Sequence, residues 1–158
     1  MRRVVTAALA LFLVAACSSS NPATFTVGKA SVDATYFCPG GVNNAAYTLH
    51  AVVDVHNGTD KPVTIEGATA QMTVASIKGS WLEKVGDRYD ASNVKFTPTT
   101  VDAGKDASLQ VTVPSACTSG SYGSGTSSSA DYDVTFHMTT SAGTFAITAA
   151  NQHEIVGD

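Results

Sequence analysis

Residues 47–55 read Tyr47-Thr48-Leu49-His50-Ala51-Val52-Val53-Asp54-Val55. Every odd position is apolar and most even positions are polar, which is the period of a pleated strand with one face in a core and the other in solvent. Working outward, residues 131–139 repeat the pattern, with Tyr132, Val134, Phe136 and Met138 on the core side and Asp133, Thr135 and His137 outside. After Ser141-Ala142-Gly143 the stretch Thr144 to Ala150 returns as the second arm of a hairpin. Val63 to Ala75, Val94 to Thr97, Ala107 to Val113 and an opening strand over Phe25 to Val32 bring the count to seven. No stretch after Thr24 has helical periodicity.

Seven strands separated by Pro39-Gly40-Gly41, Asn57-Gly58, Ala103-Gly104 and Ser141 to Gly143 predict an all-β, immunoglobulin-like β-sandwich of about seven antiparallel strands, with a closed barrel as the alternative. The run His50 to Val63, with Asn57-Gly58-Thr59-Asp60-Lys61-Pro62-Val63 as its turn, resembles the B strand and B-to-C turn of bacterial immunoglobulin-like lipoprotein domains. Phe96-Thr97-Pro98 followed by Val101-Asp102-Ala103-Gly104-Lys105 is similar to their D-to-E connection. The resemblance implies a fold and no shared activity. It departs from antibody domains, since no cysteine lies inside the B or F strand.

The chain has 44% apolar and only 14% charged residues, a packed body with a Thr, Ser, Asn and Gly surface rather than a disordered segment. At 158 residues it fits one domain. The formal charge of -4 becomes -6 when Arg2 and Arg3 are lost with a leader, and it is spread without blocks. Such a surface excludes nucleic acid as an expected partner and gives no electrostatic reason to sit on anionic lipid.

Membrane attachment is instead expected from the amino terminus. Met1-Arg2-Arg3 precede an apolar run, Val4 to Ala16, that is shorter than the about 20 residues a spanning helix needs. The run closes on Val14-Ala15-Ala16-Cys17, which resembles the bacterial lipobox. That resemblance implies residues 1–16 as a signal peptide and Cys17 as a diacylated first residue. Residues 17–23 then form the tether, residues 24–158 form the sandwich domain, and the protein stands on the outer face of the cell membrane. Cys38 and Cys117 remain, and an even pair outside the cytoplasm predicts a disulfide. If consecutive strands reverse, both cysteines fall at the end opposite the anchor, together with residues 38–44, 115–130 and the carboxyl tail. An extra strand within 78–92 would invert part of that assignment.

Candidate chemistry is sparse. His50, Asp54 and His56 share one strand face. His50 and His56 lie about 20 Å apart and cannot share an ion, whereas Asp54 and His56, about 7 Å apart, could bind zinc or copper if His137 joined them. Trp81 and Tyr89, amid Glu83, Lys84, Asp87 and Arg88, form a candidate contact surface, and the alternative is that Trp81 caps the open end of the sandwich. The Ser/Gly stretch 118–129 lacks a Lys-Ser/Thr ending and a following helix, so its composition is that of a connector rather than a phosphate loop. There is no Gly-x-Ser-x-Gly elbow, and His153-Glu154 has no second histidine for a zinc helix. The expectation is a non-enzymatic binding module of the cell envelope without a cofactor, whose partner is an envelope protein or polymer. The alternative is a metal carrier or metalloenzyme using Asp54, His56 and His137.

Overall fold

The computed structural model describes residues 24–119 and 128–157. Residues 1–23, which hold the expected signal peptide, Cys17 and the expected tether, residues 120–127 and Asp158 lie outside the described residues. Eleven strands occur among the described residues: β1 (Phe25–Val32), β2 (Thr35–Cys38), β3 (Ala45–Asn57), β4 (Val63–Lys78), β5 (Arg88–Ala91), β6 (Lys95–Thr97), β7 (Thr100–Val101), β8 (Asp106–Cys117), β9 (Ser128–Thr140), β10 (Gly143–Thr148) and β11 (His153–Gly157). One sheet runs β1-β3-β8-β6. The other runs β2-β11-β9-β4-β5, with β10 also on β9 and β7 on the start of β4.

This order is that of an immunoglobulin-like sandwich. The first sheet is the A-B-E-D arrangement and β4-β9 followed by β10 and β11 is C-F-G, while β5 adds an edge strand beside β4. β10 and β11 are two halves of one G strand on β9, since Thr135 to Thr140 pair with β10 and Ser128 to Tyr132 pair with β11. The break between them is where the first strand changes sheets. Ala150 N–H donates to the Ala30 carbonyl, and the Asn151 side chain bonds both the N–H and the carbonyl of Val32. Beyond that point β2 leaves the first sheet and pairs in parallel with β11.

Seven strands were expected and are present. The additional β2, β5, β7 and β11 have two to five residues each, too few for alternation to register. The pairing is therefore antiparallel throughout except at β2 with β11. β5 does not invert the polarity of the loops. It runs antiparallel to β4, and β6 continues in the same direction on the opposite sheet.

Alternation builds the core as read. Leu49, Val53, Leu109, Val113 and Val134 are fully buried, and Phe136 and Met72 nearly so. Each such side chain contributes about 1.5–3 kcal/mol of transfer free energy. Pro114 is tolerated inside β8 because β6 pairs only Gln110 to Thr112. Past that edge the Pro114 carbonyl accepts from the Tyr89 hydroxyl at 3.3 Å, so the side lacking an N–H meets a side chain rather than a paired backbone. Cys38 and Cys117 are bonded, with 6.0 Å between their Cα atoms, and join β2 to β8 across the two sheets.

Candidate functional site

The fold gives the sandwich two distinct ends. Thr24 enters beside Asn57-Gly58, and the same end carries residues 58–62, 98–105 and the Ser141-Ala142 turn. The opposite, distal end carries Cys38 to Asn44, residues 79–87, Thr118-Ser119 and Gly157. There residues 39–44 are stitched to the end of β8. Ser119 N–H donates to the Val42 carbonyl, the Ser119 hydroxyl donates to the Pro39 carbonyl, and Asn44 N–H donates to Thr118 Oγ1.

Between the two sheets at this distal end lies a cleft of about 210 Å³. Met72, Trp81, Tyr89 and Tyr132 give it an aromatic and thioether lining, Asn44, Ser115 and Thr118 add polar groups, and Glu83 stands at its margin. Trp81 folds back toward the mouth. Its Nε1–H donates to the Tyr132 hydroxyl at 3.1 Å, and that hydroxyl donates to Glu83 Oε2 at 3.0 Å. A Cβ on Gly157 would stand 3.5 Å from the Trp81 ring, so the indole lies against the end of β11. The capping alternative therefore describes Trp81, which is half-buried, while Tyr89 remains exposed on the lip. The two expected contact residues do share one cleft.

Below the cleft a polar cluster is sealed into the core. His153 is 1% exposed, and its Nδ1 lies 2.7 Å from the Asp33 carbonyl, which can only accept. Nδ1 therefore carries the proton, and Nε2 accepts from the Tyr47 hydroxyl at 3.0 Å. Tyr47 stacks on Tyr36 at 4.0 Å between ring centroids. Burial lowers the His153 pKa against the opposing hydrogen bond to Asp33. Burial also pushes Tyr47 up to about 12, opposed by the hydrogen bond with Ser115, and raises Tyr132 well above the ordinary phenol range, opposed by the bond from Trp81. Both phenols stay donors at neutral pH. Sequence reading treated His153 as part of a tail. The signal that marks it is Ile155 and Gly157, two and four residues on, with the inward parity of His153.

The trio of the alternative, metal-binding reading is not brought together. Asp54 and His56 stand on the outer face of β3, where their direct cross-strand partners on β8 occupy them. Ser108 Oγ donates to Asp54 Oδ1 at 2.7 Å, and His56 Nδ1 sits 2.8 Å from Asp106 Oδ1. His137 is on β9 of the other sheet, between inward Phe136 and Met138, and faces outward from that sheet. The core separates it from Asp54 and His56. His50 is paired with the Asp33 carboxylate at 2.9 Å. Among the described residues no group of three His, Cys, Asp or Glu could hold an ion.

No family model and no curated protein matches the chain. Among solved structures, a copper-bound PCuAC domain from PmoF2 is 14% identical, covering 82% of this chain and 93% of that one with a TM-score of 0.37. AggA, the major subunit of aggregative adherence fimbriae type I from Escherichia coli, is 10% identical over 85% of this chain and 95% of its own, with a TM-score of 0.33. The CooA pilin subunit from enterotoxigenic Escherichia coli is 15% identical over 83% and 99%, with a TM-score of 0.32. Likeness at this level identifies no lipoprotein family and assigns no ligand. The immunoglobulin-like assignment stands on the strand order.

Proposed function

We propose that this chain is a non-enzymatic, lipid-anchored binding module on the outer face of the cell membrane, tethered through Cys17 and engaging an envelope partner with the distal end of its sandwich. The observation that carries this reading is the polarity of the fold. Thr24 enters at one end, whereas the exposed Phe37, Leu82, Val85 and Tyr89 and the aromatic cleft gather toward the other. Exposed apolar groups with a polar rim are what a contact site offers. A spacer of about six residues between Cys17 and the first strand reaches roughly 20 Å, which keeps the proximal end close to the bilayer and turns the cleft outward.

The test is site-specific photocrosslinking in intact cells. A photoreactive residue at Leu82 or Tyr89 gives a discrete product in common, and one at Asp60 or Lys105 on the proximal end does not. Products from the proximal positions alone, or none from any position, would refute the reading.

A further inference from the structure

We propose that Asn57 is a one-way modification site, which the chain itself converts to aspartate or isoaspartate when the start of β1 leaves its sheet, and which the folded protein holds closed. The inference is independent of what the distal end binds. Asn57 is the one asparagine of the chain that is followed by glycine. With no side chain at Gly58, its backbone nitrogen is unshielded and can approach the Asn57 side chain. The deprotonated nitrogen attacks Asn57 Cγ, a new N–C bond closes a five-membered imide, and the Cγ–Nδ2 bond breaks. Ammonia leaves with the proton that Gly58 gave up. Water then adds to either imide carbonyl and opens the ring to aspartate or isoaspartate.

The fold blocks that attack on every side. The peptide unit joining the two residues is bonded at both edges, its carbonyl accepting from Gly104 N–H at 2.7 Å and its N–H donating to the Thr24 carbonyl at 3.0 Å. An engaged N–H resists deprotonation, and a peptide pinned on both edges cannot turn toward Cγ. The side chain is pinned as well. Asn57 Nδ2 donates to the carbonyls of Lys61 at 2.8 Å and Val101 at 2.9 Å, and Oδ1 accepts from the Thr59 N–H at 3.0 Å and the Thr59 hydroxyl at 2.7 Å. Asn57 is fully buried, so the water that completes the reaction is excluded too.

One of these restraints lies at the start of a sheet edge. Thr24 precedes the first β1 pairs, Phe25 with Asn57 and Thr26 with His56, and β1 pairs on one side only. Loss of those pairs frees the Gly58 N–H and admits water, and strand ends are where local opening is easiest. The change is one-way because the product does not fit. Aspartate sets a carboxylate oxygen where Nδ2 donated, against two carbonyl oxygens that only accept, and isoaspartate adds a backbone carbon at the end of β3.

The experiment incubates the detergent-solubilised full chain at mildly alkaline pH across a urea series and maps residue 57 by mass spectrometry with electron-transfer fragmentation, which separates aspartate from isoaspartate. Conversion in the folded chain is slower than in the unfolded chain by about tenfold or more, and it climbs with urea below the unfolding transition. Phe25→Leu, which gives up the packing of the Phe25 ring on Phe145, speeds conversion several-fold in buffer. Asn57→Asp melts below the parent. Equal rates in folded and unfolded chains, a Phe25→Leu rate equal to the parent's, or conversion in urea at Asn93 or Asn151 as fast as at Asn57 would overturn the inference. An Asn57→Asp chain that melts with the parent would overturn it as well.

Discussion

Lowering the pH from 7.5 to 5.5 should cost this protein stability through one buried imidazole. In the folded chain His153 donates from Nδ1 to the Asp33 carbonyl and accepts at Nε2 from Tyr47, an arrangement complete only for the neutral ring. Protonation places a second hydrogen on Nε2, so the Tyr47 hydroxyl has to turn its own hydrogen away and a charged ring is left in an environment that is 1% exposed. The folded pKa is therefore depressed, chiefly by burial. The unfolded chain binds the proton at about pH 6.5, so it holds more protons than the folded chain below that value, and stability falls as the pH falls. Were the folded ring neutral throughout, the loss would be about 0.4 kcal/mol at pH 6.5 and about 1.4 kcal/mol at pH 5.5, an upper bound per group.

The assay is urea unfolding at pH 7.5, 6.5 and 5.5, for the parent and for His153→Gln. Both share every other titrating group, so the difference between their pH slopes isolates His153. His153→Gln lowers stability at pH 7.5, because it loses the stack on Tyr47, but its stability falls less between pH 6.5 and 5.5 than that of the parent. Equal slopes in the two proteins would refute the tautomer argument.

Replacing Cys38 and Cys117 by serine reopens a loop of 79 residues, which the chain-entropy model values at about 4.5 kcal/mol. Calorimetry should place the variant's Tm lower by roughly 10–20 °C, and a shift under 3 °C would contradict that loop-entropy account. Asn57→Ala should cost roughly 2–4 kcal/mol in urea unfolding. Fully buried Asn57 donates to the carbonyls of Lys61 and Val101 and accepts from Thr59, and alanine would leave those groups without it. Zinc or copper(II) at millimolar concentration should leave the Tm of the parent and of His137→Ala shifted equally, and a parent-specific rise would revive the trio of Asp54, His56 and His137. Mass spectrometry of the mature protein should find a diacylated Cys17 at the amino terminus, and an unmodified terminus would remove the anchor.

Long strands with strict alternation were legible in the sequence. Tyr47 to Val55 and Tyr132 to Met138 needed only parity to place their side chains, since an error of one residue would have exposed the whole set. The disulfide was legible from an expected compartment and an even count, and strand polarity brought its ends together. The short edge strands were not. Thr35–Cys38 is held by the carbonyls and amides of residues 154–157, more than a hundred positions away, and nothing in four residues encodes a parallel partner. The surroundings of the candidate metal residues were hidden for a related reason. Parity puts Asp54 and His56 on one face, but only the register of β3 with β8 reveals that Ser108 and Asp106 stand directly opposite them. Periodicity also fixes only the face of a sheet, so it could not place His137 on the far side of the sandwich. Trp81 and Tyr89 stood out as candidates because aromatics amid polar residues are visible in any sequence, and Tyr132 was read only as core although its hydroxyl links Trp81 to Glu83.

Both ends of the sandwich are closely bonded through their backbones, and they differ in what their side chains expose. At the proximal end the Gly58 N–H donates to the Thr24 carbonyl, Asn57 N–H donates to Lys105, and Gly104 N–H donates to Asn57. A side chain at position 58 would place Cβ 2.8 Å from the Thr24 oxygen, so glycine is what lets the entering segment lie against the B-to-C turn. Thr24 is thus held by Gly58, and Asn57 beside it is bonded to Lys105 and Gly104, so the start of β1 is joined to the end of β3 and the approach to β8. At the distal end the backbone of residues 39–44 is equally well bonded, yet the side chains above it leave a cleft with Tyr89 and Leu82 open to solvent. Apolar side chains exposed on a rigidly bonded frame lose little conformational entropy when a ligand covers them, which is the condition under which a small contact area yields useful affinity.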